Sequence, residues 1–337
     1  MTLEATWFFL WGLLWALYFL ADGFDLGIGM LLPFIAKGEA EKRMLYNAIG
    51  PVWNGNEVWL ITAGGVTFAA FPKTYAILFS SLYVAFTLLL VALILRGICL
   101  EYRSKVDGAG AKSLCDAGLF VASTLVALLI GVAFANIFRG LPLENGVNRG
   151  SFLDLLNPYG VAGGVFFIAI FLLHGAVWLA VKTGGALQQK AYRAANGLWI
   201  AVLILTVVFL AYSFFETNLF VNYLKYPLLF LVPALAVAAL LLCRMYLSSG
   251  RPWSAWFASA GFIFACTFFT IVGLFPVMLP SSIDPAHNIT LHQAASSGLT
   301  LRVMLVVVAI FVPLALLYQI WAYRLFSRKI DDKELIY

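Results

Sequence analysis

Two aspartates lie three residues apart inside a long apolar stretch near the start of the chain. Asp22 and Asp25 fall within residues 7–35 and, at this spacing, share one face of a helix. Ionisable side chains are costly in hydrocarbon and are therefore candidates for function by default. At ~1.5 Å per residue they would lie about 23–27 Å along the helix, near its far end. This placement favours carboxyl groups that accept and release protons.

A second polar pair opens the next apolar stretch. Asn54 and Glu57 are again three residues apart, and they would lie at the same end of the membrane as Asp22 and Asp25. Two polar clusters thus converge at similar depth, as a proton-uptake path from the cytoplasm requires. A structural role for Glu57 has equal weight, because Pro51 marks a helix start where a carboxylate complements exposed N–H groups and the helix dipole.

Four further polar residues are candidates for a relay or an interface. Arg96, Glu101 and Arg103 close the third apolar stretch, where we expect them to form one ion-pair cluster at the membrane surface. His174 is the histidine that falls inside a predicted span. A hydrogen bond to a neighbouring helix or to a partner subunit is the simplest role for His174, with haem ligation and proton relay as alternatives.

Several cofactor classes lack the residues that they need. The four cysteines form no C-x-x-C or C-x-x-C-H motif, which argues against haem c attachment, a zinc site or an iron–sulfur cluster. We expect each to be a small packing residue. Three histidines are too few for several haems, and the absence of a phosphate-binding glycine loop disfavours a nucleotide-driven pump. The cysteines are Cys99, Cys115, Cys243 and Cys266.

Composition places these residues in a membrane protein. Of the 337 residues, 63% are hydrophobic and 11% are charged, with a mean hydropathy of +0.95. A soluble domain carries about 25% charged residues, so this chain has too few to cover a water-exposed surface. The net charge of +5 is explained by short loops beside the membrane and anionic lipid headgroups, so we expect no nucleic-acid binding.

A bilayer core about 30 Å thick takes about 20 apolar helical residues to cross. Nine stretches qualify, and the second is the weakest because it begins with the polar run around Asn54. We therefore predict an all-α polytopic membrane protein with nine transmembrane helices. The stretches are 7–35, 52–72, 74–100, 114–138, 158–181, 195–215, 226–246, 254–278 and 300–326.

The basic residues test this count, because Lys and Arg accumulate in cytoplasmic loops. With nine spans, 16 of the 21 fall on one side and 5 on the other. The N-terminus is therefore predicted outside and the C-terminus in the cytoplasm. The cytoplasmic set is Lys37, Lys42, Arg43, Arg96, Arg103, Lys105, Lys112, Lys182, Lys190, Arg193, Arg244, Arg251, Arg324, Arg328, Lys329 and Lys333.

The segments between the spans are short, so we predict a single integral membrane domain over residues 1–337. Residues 36–50 indicate a short amphipathic surface helix, and residues 139–157 and 279–299 indicate polar external loops. No basic residue precedes Lys37, so we expect the first apolar segment to be retained rather than cleaved as a signal peptide. Close helix packing is predicted by three small-residue patterns: Gly23 with Gly27, Gly160 with Gly163 and Gly164, and Gly184 with Gly185.

The polar motifs carry a family resemblance that extends over essentially the whole chain. The chain resembles subunit II of the cytochrome bd quinol oxidases. The motifs are residues 22–29 (DGFDLGIG) and 53–65 (WNGNEVWLITAGG), which are specific, followed by 102–105 (YRSK), 156–160 (LNPYG) and 275–282 (FPVMLPSS).

The resemblance implies an architecture and a reaction. It implies two four-helix bundles plus one peripheral helix, paired with a haem-bearing subunit I of related shape. The complex would oxidise ubiquinol or menaquinol and reduce dioxygen to water, with two b haems, one d haem and the quinol site in subunit I and none in this chain. Subunit II would stabilise the heterodimer and supply part of a cytoplasmic proton path. Two further partners are compatible with it, a small single-helix accessory subunit and a bound structural quinone, besides membrane lipid.

The implied proton path includes Asp25 and position 54. Better-known family members have an acid where this chain has Asn54, and an amide cannot carry a proton as a carboxylate does. We therefore hypothesise that Glu57, one turn later, takes its place. Two rival functions remain at this stage: a proton-coupled secondary transporter, although the sequence has no internal repeat, and a purely structural partner of subunit I.

Overall fold

The computed structural model describes residues 2–330, and 82% of the structure is helical, in agreement with the predicted all-α class. The long helices follow the apolar stretches, and short helices fill several connections. The helices are α1 (Leu3–Ile35), α2 (Glu39–Ile49), α3 (Trp53–Ala70), α4 (Pro72–Ser81), α5 (Tyr83–Tyr102), α6 (Ala109–Arg139), α7 (Pro158–Lys182), α8 (Gly185–Glu216), α9 (Val221–Lys225), α10 (Leu231–Ser248), α11 (Pro252–Leu274), α12 (Leu291–Ala294) and α13 (Gly298–Leu325).

Within the described residues, eight helices are long and apolar enough to cross a membrane. These are α1, α5, α6, α7, α8, α11, α13 and the segment Pro227–Ser248 that contains α10. The second predicted span is helical as α3, but it is not among the eight because polar residues fill its first turns. The most apolar parts of α8 and α13 are only 17% and 0% buried, as expected for helices that face lipid or a partner.

The prediction of one continuous helix over residues 74–100 is wrong. Helix α4 ends at Ser81, and Leu82 leaves the helical conformation with φ −106° and ψ 18° before α5 begins. A turn at Phe71 separates α3 from α4, and Pro72 occupies the first turn of α4, where its missing N–H costs nothing. The membrane-length helix is therefore α5, and α4 is a short preceding segment.

The helix bundle has two ends, and hydrogen bonds near the helix termini show which residues lie at each end. At one end, here called the α2 end, Trp178 at the end of α7 donates to the carbonyl of Ala48 at 2.9 Å. At the other, here called the loop end, Trp7 of α1 donates to the carbonyl of Leu301 in α13 at 2.9 Å. Helix α3 begins at the α2 end and reaches the loop end, where Ala70 accepts a 2.8 Å hydrogen bond from the N–H of Ser296.

Glycines bring α1 and α7 into backbone contact. A Cβ on Gly27 would lie 1.9 Å from the carbonyl oxygen of Phe171, and a Cβ on Gly175 would lie 2.7 Å from backbone atoms of Gly27 and Ile28. Only glycine fits at such a crossing. Gly184 and Gly185 do not pack in this way, since a Cβ there would meet nothing within 4 Å. The prediction of close packing at that pair is wrong, and the φ of +56° at Gly185 serves the start of α8 instead.

The loop end carries two small antiparallel hairpins. Strand β1 (Leu143–Glu144) pairs with β2 (Val147–Asn148), and β3 (Val277–Leu279) pairs with β4 (Ile289–Thr290). The two polar loops that contain them touch, because the Leu141 carbonyl accepts a 2.9 Å hydrogen bond from the N–H of Ser282. At the α2 end, the predicted surface helix is present as α2, which buries Leu45 and Tyr46 against the bundle.

Candidate functional site

Three carboxylates surround one guanidinium near the α2 end of the bundle. Arg96 of α5 donates from both terminal nitrogens to Asp22 of α1, at 2.8 Å to Oδ2 and 2.5 Å to Oδ1. The same guanidinium lies 3.9 Å from Oδ2 of Asp25 and 3.6 Å from Oε2 of Glu57 in α3. We call Asp22, Asp25, Glu57 and Arg96 the acid cluster. Three helices thus meet at a single cation.

The members of the acid cluster differ in exposure. The side chains of Asp22 and Arg96 have 0% exposure, whereas that of Glu57 has 22%. Asp25 is also fully buried. Glu57 is therefore the member through which the cluster reaches the surface of the chain.

A network of uncharged polar side chains extends the cluster to α13. Asn56 of α3 donates its amide N–H to Oδ2 of Asp25 at 2.7 Å, and it is fully buried. Its carbonyl oxygen accepts from the Gln319 amide and from the Tyr323 hydroxyl, both at 2.8 Å. Trp59 donates to the Gln319 carbonyl at 2.8 Å. These bonds connect α13 to Asp25 through one amide.

Several buried polar atoms around the acid cluster have no hydrogen-bond partner in the described part of the chain. Buried polar atoms are normally satisfied by protein or by ordered water. Three of these atoms belong to the acid cluster itself, so ordered water bound there would satisfy them. The atoms are Oδ1 of Asp25, Oε2 of Glu57, Nε of Arg96, the hydroxyl of Tyr18 and Nε1 of Trp53.

Tyr18 extends the polar face of α1. It lies four residues before Asp22 and seven before Asp25, so the three side chains are aligned on one helix face. All three have 0% exposure. The polar stripe on α1 is therefore one turn longer than the pair of aspartates indicates.

The predicted convergence of two acidic groups is present, since Asp22, Asp25 and Glu57 meet around Arg96. Asn54 lies outside this arrangement: it is exposed on α3, and within residues 2–330 it takes no part in the hydrogen bonds of the cluster. Its neighbour Asn56 occupies the buried position instead.

The site predicted from the sequence did not include Asn56, Gln319 or Tyr323. A signal was present in α13, where Gln319 and Tyr323 are four residues apart and so share a face of an otherwise apolar helix.

The prediction of one interfacial cluster of Arg96, Glu101 and Arg103 is wrong. Arg96 belongs to the buried acid cluster, while Glu101 pairs with Lys105 at the surface, at 3.4 Å. At about 100° of rotation per residue, Glu101 lies on a different face of α5 from both arginines. Residues two or five positions apart on a helix do not meet.

Arg103 instead organises a second ion-pair network that attaches α2. Its Nε lies 2.5 Å from Oδ1 of Asp116 in α6, and its terminal nitrogens lie 3.0 Å from both carboxylate oxygens of Glu39. Lys42 of α2 also contacts Asp116, at 2.8 Å. The hydrogen bonds from Arg103 lower the pKa of Glu39 below its ordinary value of 4.5. This network is structural, because it connects α2 to α5 and α6.

His174 has both ring nitrogens engaged within the chain. Nδ1 lies 2.7 Å from the Ser259 hydroxyl of α11, and Nε2 lies 3.0 Å from the Leu20 carbonyl of α1. The ring stacks on Trp256 with centroids 5.6 Å apart. A haem iron needs a nitrogen free for coordination, so the environment of His174 does not fit an axial haem ligand.

Among the described residues, no group of three or more His, Cys, Asp and Glu side chains is arranged to hold a metal ion. The four cysteines are free thiols, two buried and two partly buried.

Comparisons with known proteins agree on one family. The profile of the family described as cytochrome bd terminal oxidase subunit II matches residues 3–326. A probable cytochrome oxidase subunit 2 from Haemophilus influenzae is 38% identical, covering 91% of this chain and 90% of that protein. Cytochrome bd-I ubiquinol oxidase subunit 2 of Escherichia coli is 34% identical, covering 97% of this chain and 95% of the relative.

Two further matches cover nearly the whole chain. Cytochrome bd ubiquinol oxidase subunit 2 of Bacillus subtilis is 32% identical, covering 99% of this chain and 98% of the relative. A solved structure of bd oxidase from Geobacillus thermodenitrificans superposes with a TM-score of 0.78 at 17% identity, covering 96% of this chain and 97% of that one. The structural match supports the fold.

Proposed function

The chain belongs to the cytochrome bd terminal oxidase subunit II family, and is thus a subunit of a membrane-embedded quinol oxidase, and from this premise we propose that its acid cluster takes up protons for the complex. Reduction of dioxygen to water consumes one proton for each electron that quinol supplies. The family implies that the complex contains haems, which supply the electron transfer. The role proposed for this chain is to supply the complex with protons from the cytoplasm.

The observation that carries the proposal is the charge imbalance of the acid cluster. Three carboxyl groups lie within 4 Å of Arg96, which is their one cationic partner among the described residues. If all three were ionised, two negative charges would remain uncompensated in a low-dielectric interior, which is strongly unfavourable. The cluster therefore holds at least one proton or admits water. A group that must hold a proton and lies beside hydratable polar atoms is suited to pass protons on.

The geometry separates the roles of the three acids. Asp22 is held by both terminal nitrogens of Arg96, so it anchors the cation and joins α1 to α5. Asp25 keeps one carboxylate oxygen unpaired in the interior. Glu57 has the partly exposed side chain and a longer contact to Arg96. We assign Glu57 as the entry group and Asp25 as the interior proton acceptor.

This assignment supports the hypothesis that Glu57 stands in for the acid that relatives carry at position 54. Asn54 is exposed and cannot carry a proton as a carboxylate does. Glu57 lies one helical turn further into α3, next to Arg96. The proton route would thus enter one turn deeper in this chain.

Substitution of Glu57 in the assembled oxidase tests the proposal. Glu57→Gln is expected to slow quinol-driven oxygen consumption and proton uptake at unchanged haem content, and Glu57→Asp is expected to restore part of both. Glu101→Gln is the matched control, because Glu101 is a surface acid near the same end with a lysine partner. Full turnover and unimpaired haem reduction in Glu57→Gln would refute the entry role.

A purely structural role is the second candidate, and the ion pair of Asp22 with Arg96 favours it for those two residues. Asp25→Asn separates the candidates. The amide can keep the contact with Asn56 but cannot carry a proton, so a proton carrier predicts slow proton uptake in a complex that assembles normally. A structural role predicts normal uptake once the complex has formed. Family membership leaves no support for the transporter alternative.

We further propose that the haems are held by a separate subunit I, which this chain stabilises. His174, the intramembrane histidine, uses both ring nitrogens inside the chain, which supports this division. The reduced-minus-oxidised spectrum of the native complex should contain b- and d-type haem bands, and the spectrum of this chain alone should contain none. A haem spectrum from the isolated chain would contradict it.

We also propose nine membrane crossings with the α2 end in the cytoplasm, arranged as two four-helix bundles with α13 peripheral. Helix α3 is 18 residues long, which corresponds to about 27 Å, and it extends between the two ends of the bundle. The excess of Lys and Arg at the α2 end supports the orientation, although Lys333 lies outside the described residues. A thiol reagent should label the variants Lys105→Cys and Arg149→Cys from opposite sides of the membrane.

A further inference from the structure

A groove at the α2 end combines a cationic rim with an apolar floor. It has a volume of 530 Å³ and lies between the end of α1 and the neighbouring faces of α7 and α8. Three cations line it: Lys37 just after α1, and Lys190 and Arg193 in the second and third turns of α8. Below them the lining is apolar, formed by Leu31, Phe34, Ile35, Leu172, Ala194 and Leu198.

One ion pair fixes the position of a side chain at the rim of this groove. Lys190 donates to both carboxylate oxygens of Glu41, at 2.6 and 2.7 Å. Glu41 also accepts the backbone N–H of Lys37 at 2.5 Å. Lys190 therefore has a counter-charge, and its position between α8 and the end of α1 is fixed.

The other two cations are not paired in this way, although Lys37 is near enough to Glu41 to help lower the pKa of that carboxyl. Lys37 and Arg193 are exposed, and among residues 2–330 neither forms a salt bridge. The groove thus combines three positive charges with the single negative charge of Glu41. This net positive charge would repel the ammonium of a zwitterionic headgroup and attract a headgroup that is anionic overall.

The floor indicates what else the ligand must contain. Phe34 is 71% exposed, and Leu172 and Leu198 are partly exposed, so the groove offers apolar surface directly beneath the cations. A soluble anion would leave this surface uncovered, whereas acyl chains would cover it. Basic pockets between transmembrane helices at the cytoplasmic surface have this composition when they bind anionic lipid.

We infer that this groove is a binding site for an anionic phospholipid, with its phosphodiester between Lys37 and Arg193 and its acyl chains along Phe34, Leu172 and Leu198. The site is separate from the acid cluster, because none of the four cluster residues lines it. It requires no proton-uptake role for this chain.

Lipid titration of the purified oxidase complex tests the site. Delipidated complex in mild detergent is titrated with phosphatidylglycerol or phosphatidylcholine, and apparent affinity is read from the rise in thermal unfolding midpoint. The wild-type complex is expected to bind phosphatidylglycerol more tightly. Lys37→Gln and Arg193→Gln should each weaken that binding about fivefold, and together about 25-fold. Phosphatidylcholine binding should be unchanged.

Three controls keep the test decisive. Arg251→Gln removes an exposed cation near the same end that does not line the groove, and it should leave the affinity unchanged. Ala194→Trp fills the floor without altering charge, and it should weaken phosphatidylglycerol binding as well. Equal losses in Arg251→Gln, equal binding of both lipids, or full affinity in the double glutamine variant would overturn the assignment. Displacement of the lipid by inorganic phosphate at equal concentration would assign a soluble-anion site and also overturn it.

Discussion

Replacing Arg96 with methionine would remove the single cation of the acid cluster and leave three carboxyl groups facing one another. Breaking a buried ion pair by removing one partner costs about 3–5 kcal/mol. Coulomb's law gives a similar size, about 4 kcal/mol for a pair 4 Å apart at an effective dielectric of about 20. Arg96→Met is therefore expected to destabilise the folded complex by several kcal/mol.

Asp22→Asn should cost less than Arg96→Met, because Arg96 retains Glu57 at 3.6 Å and Asp25 at 3.9 Å. The two changes should also be strongly non-additive. In the Arg96→Met background, Asp22→Asn removes one of three repelling acids, so the double variant should be more stable than Arg96→Met alone. Coupling between contacting residues is about 0.5–3 kcal/mol.

The assay is thermal unfolding of the purified complex in one detergent at fixed pH and ionic strength. Because large complexes often unfold irreversibly, the rank order of midpoints at one scan rate is compared. The yield of haem-containing complex gives a second ranking for variants that assemble poorly. Arg149→Gln is the control, since its pair with Glu144 is exposed and worth about 0–1 kcal/mol. A double variant less stable than Arg96→Met would refute the charge argument.

Three other predictions concern the contacts around the cluster. Asn56→Leu should lower stability by about 1–3 kcal/mol, because it leaves buried polar partners on α1 and α13 unpaired, and thermal unfolding measures this. Gly27→Val should sharply reduce the yield of assembled complex, since α1 and α7 must separate, whereas Gly55→Ala, with open space around it, should not. Glu39, whose pKa is lowered by Arg103 from its ordinary value of 4.5, contributes stability above that pH that is lost as the pH falls through its lowered pKa. The protection of the α2 amides against hydrogen exchange, corrected for the intrinsic exchange rate at each pH, should therefore fall with acidification, and Arg103→Gln should remove most of that dependence.

Part of the acid cluster was predictable because helix geometry is local. The three-residue spacing of Asp22 and Asp25 places them on one face, and the rise per residue places them level with the start of α3. Glu57 could be added on the same grounds. The partner Arg96 could not, because its side chain depends on how α5 is rotated about its axis. In a membrane bundle, lipid-facing and protein-facing surfaces are both apolar, so the pattern of apolar residues does not reveal that rotation.

The approximate positions of most apolar helices, and the excess of basic residues at one end, follow from the sequence alone, because crossing a bilayer demands length and apolarity that any segment displays by itself. The tertiary structure decided which polar side chains share a pocket: Arg96 among the acids, Asn56 rather than Asn54 against Asp25, and Gln319 and Tyr323 brought from a distant helix. Those contacts depend on helix rotation and packing, which arise only when all helices are assembled around the glycine crossing of α1 and α7.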